Sequence, residues 1–288
     1  MRQLEPIVGR YFTVPIAGRD NRIFFEESGS GIPVLCLHTA GADARQYRHF
    51  QCDPQVLATF RVIAFDMPWH GKSLPPDYWW TQDYLLTVDL YIETVVSVIR
   101  ALDLELPIVV GCSMGGSLVL ELVRRHAGLV AGVVGFSAAA RIEGRFSDWS
   151  LAPDINSCQA VPTWTAELMA PQSPEVSRKE VWWIYSQGGL GTYRGDTHFY
   201  SSLDLRGREG EIDSLRCPVY LFTGEYDFAC SAKETLETAA KIPGAKGKLM
   251  PNIGHFPISE NYSLCKTYLM PALVEIAARR KAIAGSFP

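Results

Sequence analysis

The chain has 288 residues, 47% hydrophobic and 20% charged, ordinary proportions for a globular protein long enough to bury a sizeable core. A net charge of -4 with no long basic run argues against nucleic acid or an anionic membrane surface as a partner. No stretch approaches the roughly 18 consecutive apolar residues of a membrane span, and "MRQLEPIVGRYFTVPIAGRD" lacks the apolar centre of a secretory signal, so a cytoplasmic location is expected.

In chain order, the first two elements are strands over 10–16 and 22–28, with "GRDN" as the turn between them. Short apolar, β-rich runs then alternate with helical patterns. A strand over 33–38 precedes a helix through 45–58. A strand over 61–66 precedes a long helix over 83–102. A strand over 107–112 leads into the helix after Ser113, and another follows over 129–136. Later come a strand over 218–224, a helix over 231–241, a strand over 246–250 and a final helix over 260–281. The strand runs are continuously apolar, as in a parallel sheet buried on both faces. The alternation predicts an α/β fold, a mostly parallel, doubly wound sheet with the first hairpin as an antiparallel edge.

The rhythm breaks over 138–212, which is rich in tryptophan and tyrosine and punctuated by proline. A structureless loop of that length is improbable in a compact domain. The stretch reads as a helical insertion packed over the sheet. The expected organisation is a core domain of 1–137 and 213–288 and a cap of 138–212. The seven cysteines form no C-x-x-C pair, which fits reduced thiols better than disulfides or a zinc site.

"GCSMG" places Ser113 between glycines on a strand-to-helix turn. Such a turn lifts a hydroxyl clear of the sheet and aims the N-terminus of the next helix at it. In any parallel-sheet protein the same turn can merely cap a helix. A nucleophilic serine needs a base and an orienting acid. Asp227 in "TGEYD" and His255 in "GHFPISEN" each follow a predicted strand, in the order Ser, Asp, His. All three then project at strand C-terminal ends, where open α/β sheets bind ligands. Glu225 is a rival acid nearer its strand. His38 and His70 lie in tight turns and are expected to bond backbone; His126 sits on the outer part of a helix and His49 has no supporting context. His198, in the insertion, is a candidate substrate contact. The expected oxyanion donors are the amides of Met114 and of Ala40, with Thr39 as the alternative to Ala40.

Together "LHTAGAD", "FDMPWHGKS", "GCSMGG", "TGEYD" and "GHFPISEN" resemble the α/β-hydrolase superfamily, over nearly the whole chain. The resemblance implies Ser113 as nucleophile, Asp227 as acid, His255 as base, no metal or organic cofactor, and the insertion as a cap over the acyl pocket. Two positions depart from it: Thr39 follows His38 where glycine is common, and Trp69 stands in the "DMPWHGKS" turn. Serine rather than aspartate at the elbow argues against haloalkane dehalogenase and epoxide hydrolase chemistry.

The expected activity is hydrolysis of a small ester with an apolar or aromatic group, through an acyl-enzyme. Trp182, Trp183 and Phe256 are candidate pocket residues; adjacent helix positions point different ways, so one tryptophan is expected in the cap's core. Arg141, Arg194 and Arg206 are candidates for holding a substrate carboxylate, each with an ordinary surface position as the simpler reading. Alternatives are a lactonase, a hydrolase of carbon–carbon bonds in ring-fission products, and a non-catalytic receptor on the same fold. The resemblance associates carbon–carbon cleavage with a carboxylate clamp and a tryptophan after the catalytic histidine; Phe256 at that position favours esters. The substrate is a small molecule in each case, and a homo-oligomer is compatible with the composition.

Overall fold

The computed structural model describes residues 4–146 and 157–284. Trp149, part of the aromatic stretch, lies outside the described residues.

Eight strands form one sheet: β1 (Val8–Ile16), β2 (Arg19–Gly29), β3 (Ile32–Leu37), β4 (Phe60–Phe65), β5 (Ile108–Cys112), β6 (Gly132–Phe136), β7 (Val219–Gly224) and β8 (Lys246–Met250). Their order is β1-β2-β4-β3-β5-β6-β7-β8. β1 and β2 pair antiparallel, β2 pairs antiparallel with β4, and the other pairs are parallel. β5 and β6 are buried at every position. Residues of β3, β4, β5 and β6 alternate between two cores: Leu35, Ile63, Val109 and Val133 face one side, Cys36, Ala64, Val110 and Val134 the other. Edge strand β8 exposes Lys246 and Lys248, charges that discourage strand addition.

Several boundaries differ from expectation for local reasons. The first hairpin turns at Ala17-Gly18, both at positive φ, and Arg19 is already paired with Ile16. A two-residue turn of that kind matches the twist of the flanking strands, so "GRDN" belongs mostly to β2. The expected helix over 45–58 is a 3-10 turn (Ala44–Tyr47) and two short helices, α1 (Arg48–Gln51) and α2 (Pro54–Leu57). Asp53 caps α2 and Pro54 opens it, which forbids one continuous helix. The long helix, α3 (Val88–Ala101), starts later than expected, because Thr87 caps it through the Leu90 amide. α4 (Met114–His126) follows β5 directly. α3 and α4 cover the first core.

Between β6 and β7 the chain leaves the sheet and forms α5 (Ser157–Ala166), α6 (Glu175–Tyr185), α7 (Thr192–Thr197) and α8 (Phe199–Ser202). This inserted helical cap reaches the loops past the C-terminal ends of β3 and β5: Tyr185 bonds Thr39, Asp196 takes the Gly41 amide and Tyr200 meets Ser113. The chain then closes with α9 (Ala232–Lys241), α10 (Pro257–Glu260) and α11 (Tyr262–Ala284); α11 is the expected final helix, begun two residues later, after Asn261. α11 packs on the second core through Cys265, Leu269, Leu273 and Ile276.

Candidate active site

β5 ends at Cys112 and α4 begins at Met114, so Ser113 alone makes the turn. Its φ of 55° and ψ of -112° lie outside the regions a serine ordinarily occupies, a strain of roughly 1–3 kcal/mol that the surroundings must hold. The glycines make room: a Cβ on Gly115 would stand 2.6 Å from the Leu37 carbonyl oxygen, and one on Gly111 would stand 2.2 Å from that of Gly115. The Ser113 amide donates to the Phe136 carbonyl at 2.9 Å, tying the turn to β6.

Ser113 Oγ lies 2.8 Å from His255 Nε2. His255 Nδ1 lies 2.9 Å from both carboxylate oxygens of Asp227. All three side chains are buried. Asp227 Oδ1 also accepts the Ala229 and Cys230 amides at 2.9 Å. Burial works to raise the Asp227 pKa, but the imidazole, the Cys230 amide and the Ser137 hydroxyl outweigh it and hold the carboxyl below its ordinary range. The backbone around His255 is held from two sides. Its amide donates to the Leu168 carbonyl at 2.8 Å. Buried Glu260 accepts the neighbouring amides of Gly254 (2.7 Å) and Phe256 (3.0 Å), together with the Ala170 amide and Ser173 hydroxyl of the cap.

In the loop after β3, Gln46 accepts the Thr39 amide at 2.9 Å and donates to the Thr39 hydroxyl at 2.8 Å. Asp196 takes the Gly41 amide at 2.7 Å. The Thr39 and Gly41 amides are therefore committed. The amides of Ala40 and Met114 have no hydrogen-bond partner among the described residues.

A cavity of about 10 Å³ opens on Ser113, His255, Ala40, Thr39 and Phe256 from the core and on Arg145, Thr165, Tyr185 and Tyr193 from the cap side. That is room for about one water. Arg145 is half-buried and has no carboxylate partner among the described residues. Its guanidinium lies 3.5 Å from the Tyr193 hydroxyl and 6.0 Å from the Tyr200 ring centroid. Burial opposes its charge, yet the nearby phenols and Asp227 raise its pKa above the ordinary value. A larger cavity, about 280 Å³, lies elsewhere, between the β1–β2 turn, Met67–Trp69 and α3. It contains none of the triad, and Trp69 walls it, stacked on Tyr84 at 5.2 Å.

The other residues singled out in the sequence sit as follows. Trp182 and Trp183 are 42% and 57% exposed and line no part of the Ser113 cavity. The inward face of α6 is Val181, Ile184 and Tyr185, an i, i+3, i+4 stripe that puts both tryptophans outside. His198 meets the Leu86 carbonyl at 3.0 Å and is not in that cavity. Arg141 donates to the carbonyls of Tyr200 and Leu203, Arg206 pairs with Asp204, and Arg194 lies 3.9 Å from Asp83. Glu225 accepts the Asn252 amide, and His49 pairs with Glu180. His38 bonds backbone at both nitrogens, through the Thr39 carbonyl and the Met67 amide. His70 bonds the Pro68 carbonyl and also the Asp196 carboxylate. Sequence reasoning did not reach Arg145, Asp196 or Glu260, and it met Tyr200 only as one aromatic among many. Arg145, Asp196 and Tyr200 sit in stretches with no short motif and arrive by long-range packing, whereas Glu260 lies within "GHFPISEN" and reaches the Gly254 and Phe256 amides locally.

A family model described as "Alpha/beta hydrolase family" matches residues 34–262. The 2-hydroxy-6-oxo-6-(2'-aminophenyl)hexa-2,4-dienoic acid hydrolase of Metapseudomonas resinovorans is 33% identical over 259 residues, covering 82% of this chain and 81% of that protein. The 2-hydroxymuconate semialdehyde hydrolase of a Pseudomonas species is 30% identical over 125 residues, which span 43% of this chain but only 41% of that relative. In fold, the chain is similar to the enol-lactonase of Burkholderia xenovorans, with a TM-score of 0.77, 18% identity, and coverage of 93% of this chain and 100% of that one. Among the described residues, no helix is long and apolar enough to cross a membrane.

Proposed function

The chain belongs to the alpha/beta hydrolase family, and from that membership we propose that it is a serine hydrolase acting on a small acid, by cleavage of a carbon–carbon bond beside a ketone. The observation that carries the acid is Arg145, a cation without a carboxylate partner among the described residues, lining the same cavity as Ser113 and His255. A guanidinium in that place suits a substrate carboxylate, which it can bind bidentately. Two relatives support the bond type, since a dienoic acid and a semialdehyde stand in their names.

In this reading residues 138–212 form the cap that closes on substrate. His255 takes the Ser113 proton as Oγ attacks the ketone carbon. Asp227 holds the imidazole tautomer and stabilises the imidazolium. The Ala40 and Met114 amides receive the oxyanion. The carbon–carbon bond then breaks. Its electron pair passes into the conjugated acid fragment, which takes the proton from His255. Water, deprotonated by His255, attacks the acyl-enzyme and returns Ser113 to its hydroxyl form.

Ester hydrolysis is the second reading, favoured by Phe256 rather than tryptophan beside His255. One pair of assays separates the two. A yellow ring-fission dienoate and an uncharged p-nitrophenyl ester are turned over by native protein and by Arg145→Met. The proposal expects the dienoate to be the better native substrate and its KM to rise about tenfold or more in Arg145→Met, as when one charged contact is lost, with the ester little changed. Rapid ester turnover beside a slow dienoate, with neither altered by the variant, reverses the order. A fluorophosphonate that leaves native protein unlabelled would instead favour a receptor.

A further inference from the structure

Tyr200 comes from α8 of the cap, yet its phenol oxygen is 3.1 Å from Ser113 Oγ. Counting protons fixes the direction of that bond. His255 Nδ1 faces both oxygens of Asp227, so the proton of a neutral imidazole sits there and Nε2 is an acceptor. Ser113 has one hydrogen, and its contact with Nε2 uses it. The hydrogen between Ser113 and Tyr200 therefore belongs to the phenol.

The phenol keeps it. Burial raises the Tyr200 pKa well above the ordinary value, outweighing the lowering by Arg145 and by Ser113. The residue is held without help from Ser113. Arg141 donates to the Tyr200 carbonyl at 3.0 Å and to the Leu203 carbonyl at 2.7 Å, and the Tyr200 ring packs edge-on to Phe199 at 5.3 Å. Of the other core tyrosines, Tyr47 meets a backbone acceptor, the Leu37 carbonyl, and the Tyr91 hydroxyl has no partner among the described residues. Tyr200 instead donates to the oxygen that stands 2.8 Å from the imidazole.

We propose that Tyr200 is a catalytic residue whose hydroxyl holds Ser113 Oγ whenever that oxygen carries charge, an inference that rests on Ser113 being the nucleophile. Charge develops there twice. It appears as the serine proton leaves for His255, and again as Oγ is expelled from the acyl-enzyme. In that second step the electron pair of the Oγ–acyl carbon bond returns to Oγ and His255 supplies the proton. Tyr200 neither gains nor loses a proton; it lowers the energy of the oxygen while the transfer is under way. Between the two steps Oγ is an ester oxygen, a weak acceptor, and the phenol is released. Because the donor arrives on the cap, the nucleophile has its full set of partners only when the cap is seated.

The test is Tyr200→Phe, which removes one oxygen and keeps the ring. With a p-nitrophenyl ester, kcat should fall about 10- to 100-fold, as for loss of one preorganised donor. KM should change by less than about threefold, because acylation and deacylation are slowed together. A kcat within about twofold of native overturns the proposal. Should Tyr200→Phe fold poorly, 3,5-difluorotyrosine at 200 keeps the shape and lowers the phenol pKa. The alkaline limb of kcat should then move to lower pH; an unmoved limb overturns the proposal. Fluorophosphonate labelling of native protein and the rate of Ser113→Ala run alongside. Absent labelling, or Ser113→Ala at full rate, sinks the reading of the site; normal labelling and a dead Ser113→Ala beside an undiminished Tyr200→Phe sinks the tyrosine alone.

Discussion

Two buried aspartate–histidine pairs stand among the described residues, and they do opposite things with the same groups. Asp227 and His255 meet at 2.9 Å, Asp196 and His70 at 2.7 Å. In both, burial works to raise the carboxyl pKa and the imidazole overcomes it. What differs is the far nitrogen of each ring. His255 turns Nε2 to a serine hydroxyl, which can donate. His70 turns Nδ1 to the Pro68 carbonyl at 3.0 Å, which can only accept. A ring between a carboxylate and a carbonyl carries protons on both nitrogens. His70 is accordingly an imidazolium: burial lowers its pKa, but Asp196 more than compensates and the balance is upward. The first pair can pass a proton. The second is a fixed ion pair that joins α7 of the cap to the Gly41 amide and, through the Tyr84 hydroxyl, to the chain before α3. An aspartate–histidine contact is thus no sign of catalysis until the other side of the ring is known.

The largest effect that sharpens this contrast is on turnover. Asp227→Asn should lower kcat by about 10⁴-fold, because the amide favours the wrong tautomer, with the thermal midpoint little changed. Asp196→Asn keeps shape and an acceptor and should cost about tenfold or less in kcat, through a loosened Gly41 loop. Equal losses from the two variants, each on a fully folded protein, would break the comparison. The next effect is on stability. Asp196→Ala strands a buried imidazolium and leaves the Gly41 amide and Tyr84 hydroxyl unpaired, which should remove about 3–5 kcal/mol in urea unfolding. A loss under about 1 kcal/mol would show that the pair is not an ion pair.

A third, smaller effect concerns pH. His38 lies 4.8 Å from His70, ring centre to ring centre with the planes tilted, and is a neutral ring, donating from Nδ1 to the Thr39 carbonyl and accepting the Met67 amide at Nε2. Burial, then the charge on His70, lower its pKa to about 4. Its folded pKa lies below the unfolded value of about 6.5, so the unfolded chain binds the proton first. The stability His38 contributes is complete above about pH 6.5 and is lost as pH falls toward 4, by about 3 kcal/mol at most. His70 has the opposite sign: its contribution is complete below about pH 6.5 and fades as pH rises through its raised folded value. Urea unfolding between pH 7 and 4 should therefore fall less steeply in His38→Asn than in native protein. Parallel slopes would refute the assignment.

These contrasts also mark what can be read from a sequence. Ser113, Asp227 and His255 each lie just past a strand, and a strand's end is a local signal of apolar run followed by glycine or turn residues. The doubly wound order follows from the same runs. Asp196 lies in "YRGDTHF", which carries no motif, and its partners are 126 and 155 positions away. Its role exists only once the cap has packed. The choice between Thr39 and Ala40 as donor turns on one side chain, Gln46, that occupies the Thr39 amide. Helix limits failed where a cap residue outranked periodicity, as at Thr87 and at Asp53-Pro54.

The smallest expected effect separates the two faces of the cap. Trp182 and Trp183 are half-exposed on α6, whereas Tyr185, two residues beyond Trp183, lines the Ser113 cavity and bonds the Thr39 hydroxyl. Adjacent aromatic residues look alike in sequence, but the 3.6-residue turn sends 181, 184 and 185 inward and leaves 182 and 183 on the far side. Trp183→Ala should therefore change kcat/KM by less than about twofold and stability by no more than about 0.5 kcal/mol. Tyr185→Phe, measured beside it, should cost more in both, because it leaves a buried threonine hydroxyl with one partner fewer. A tenfold loss from Trp183→Ala would mean that α6 rotates when substrate enters, and that the outward face of the closed cap is not its outward face at work.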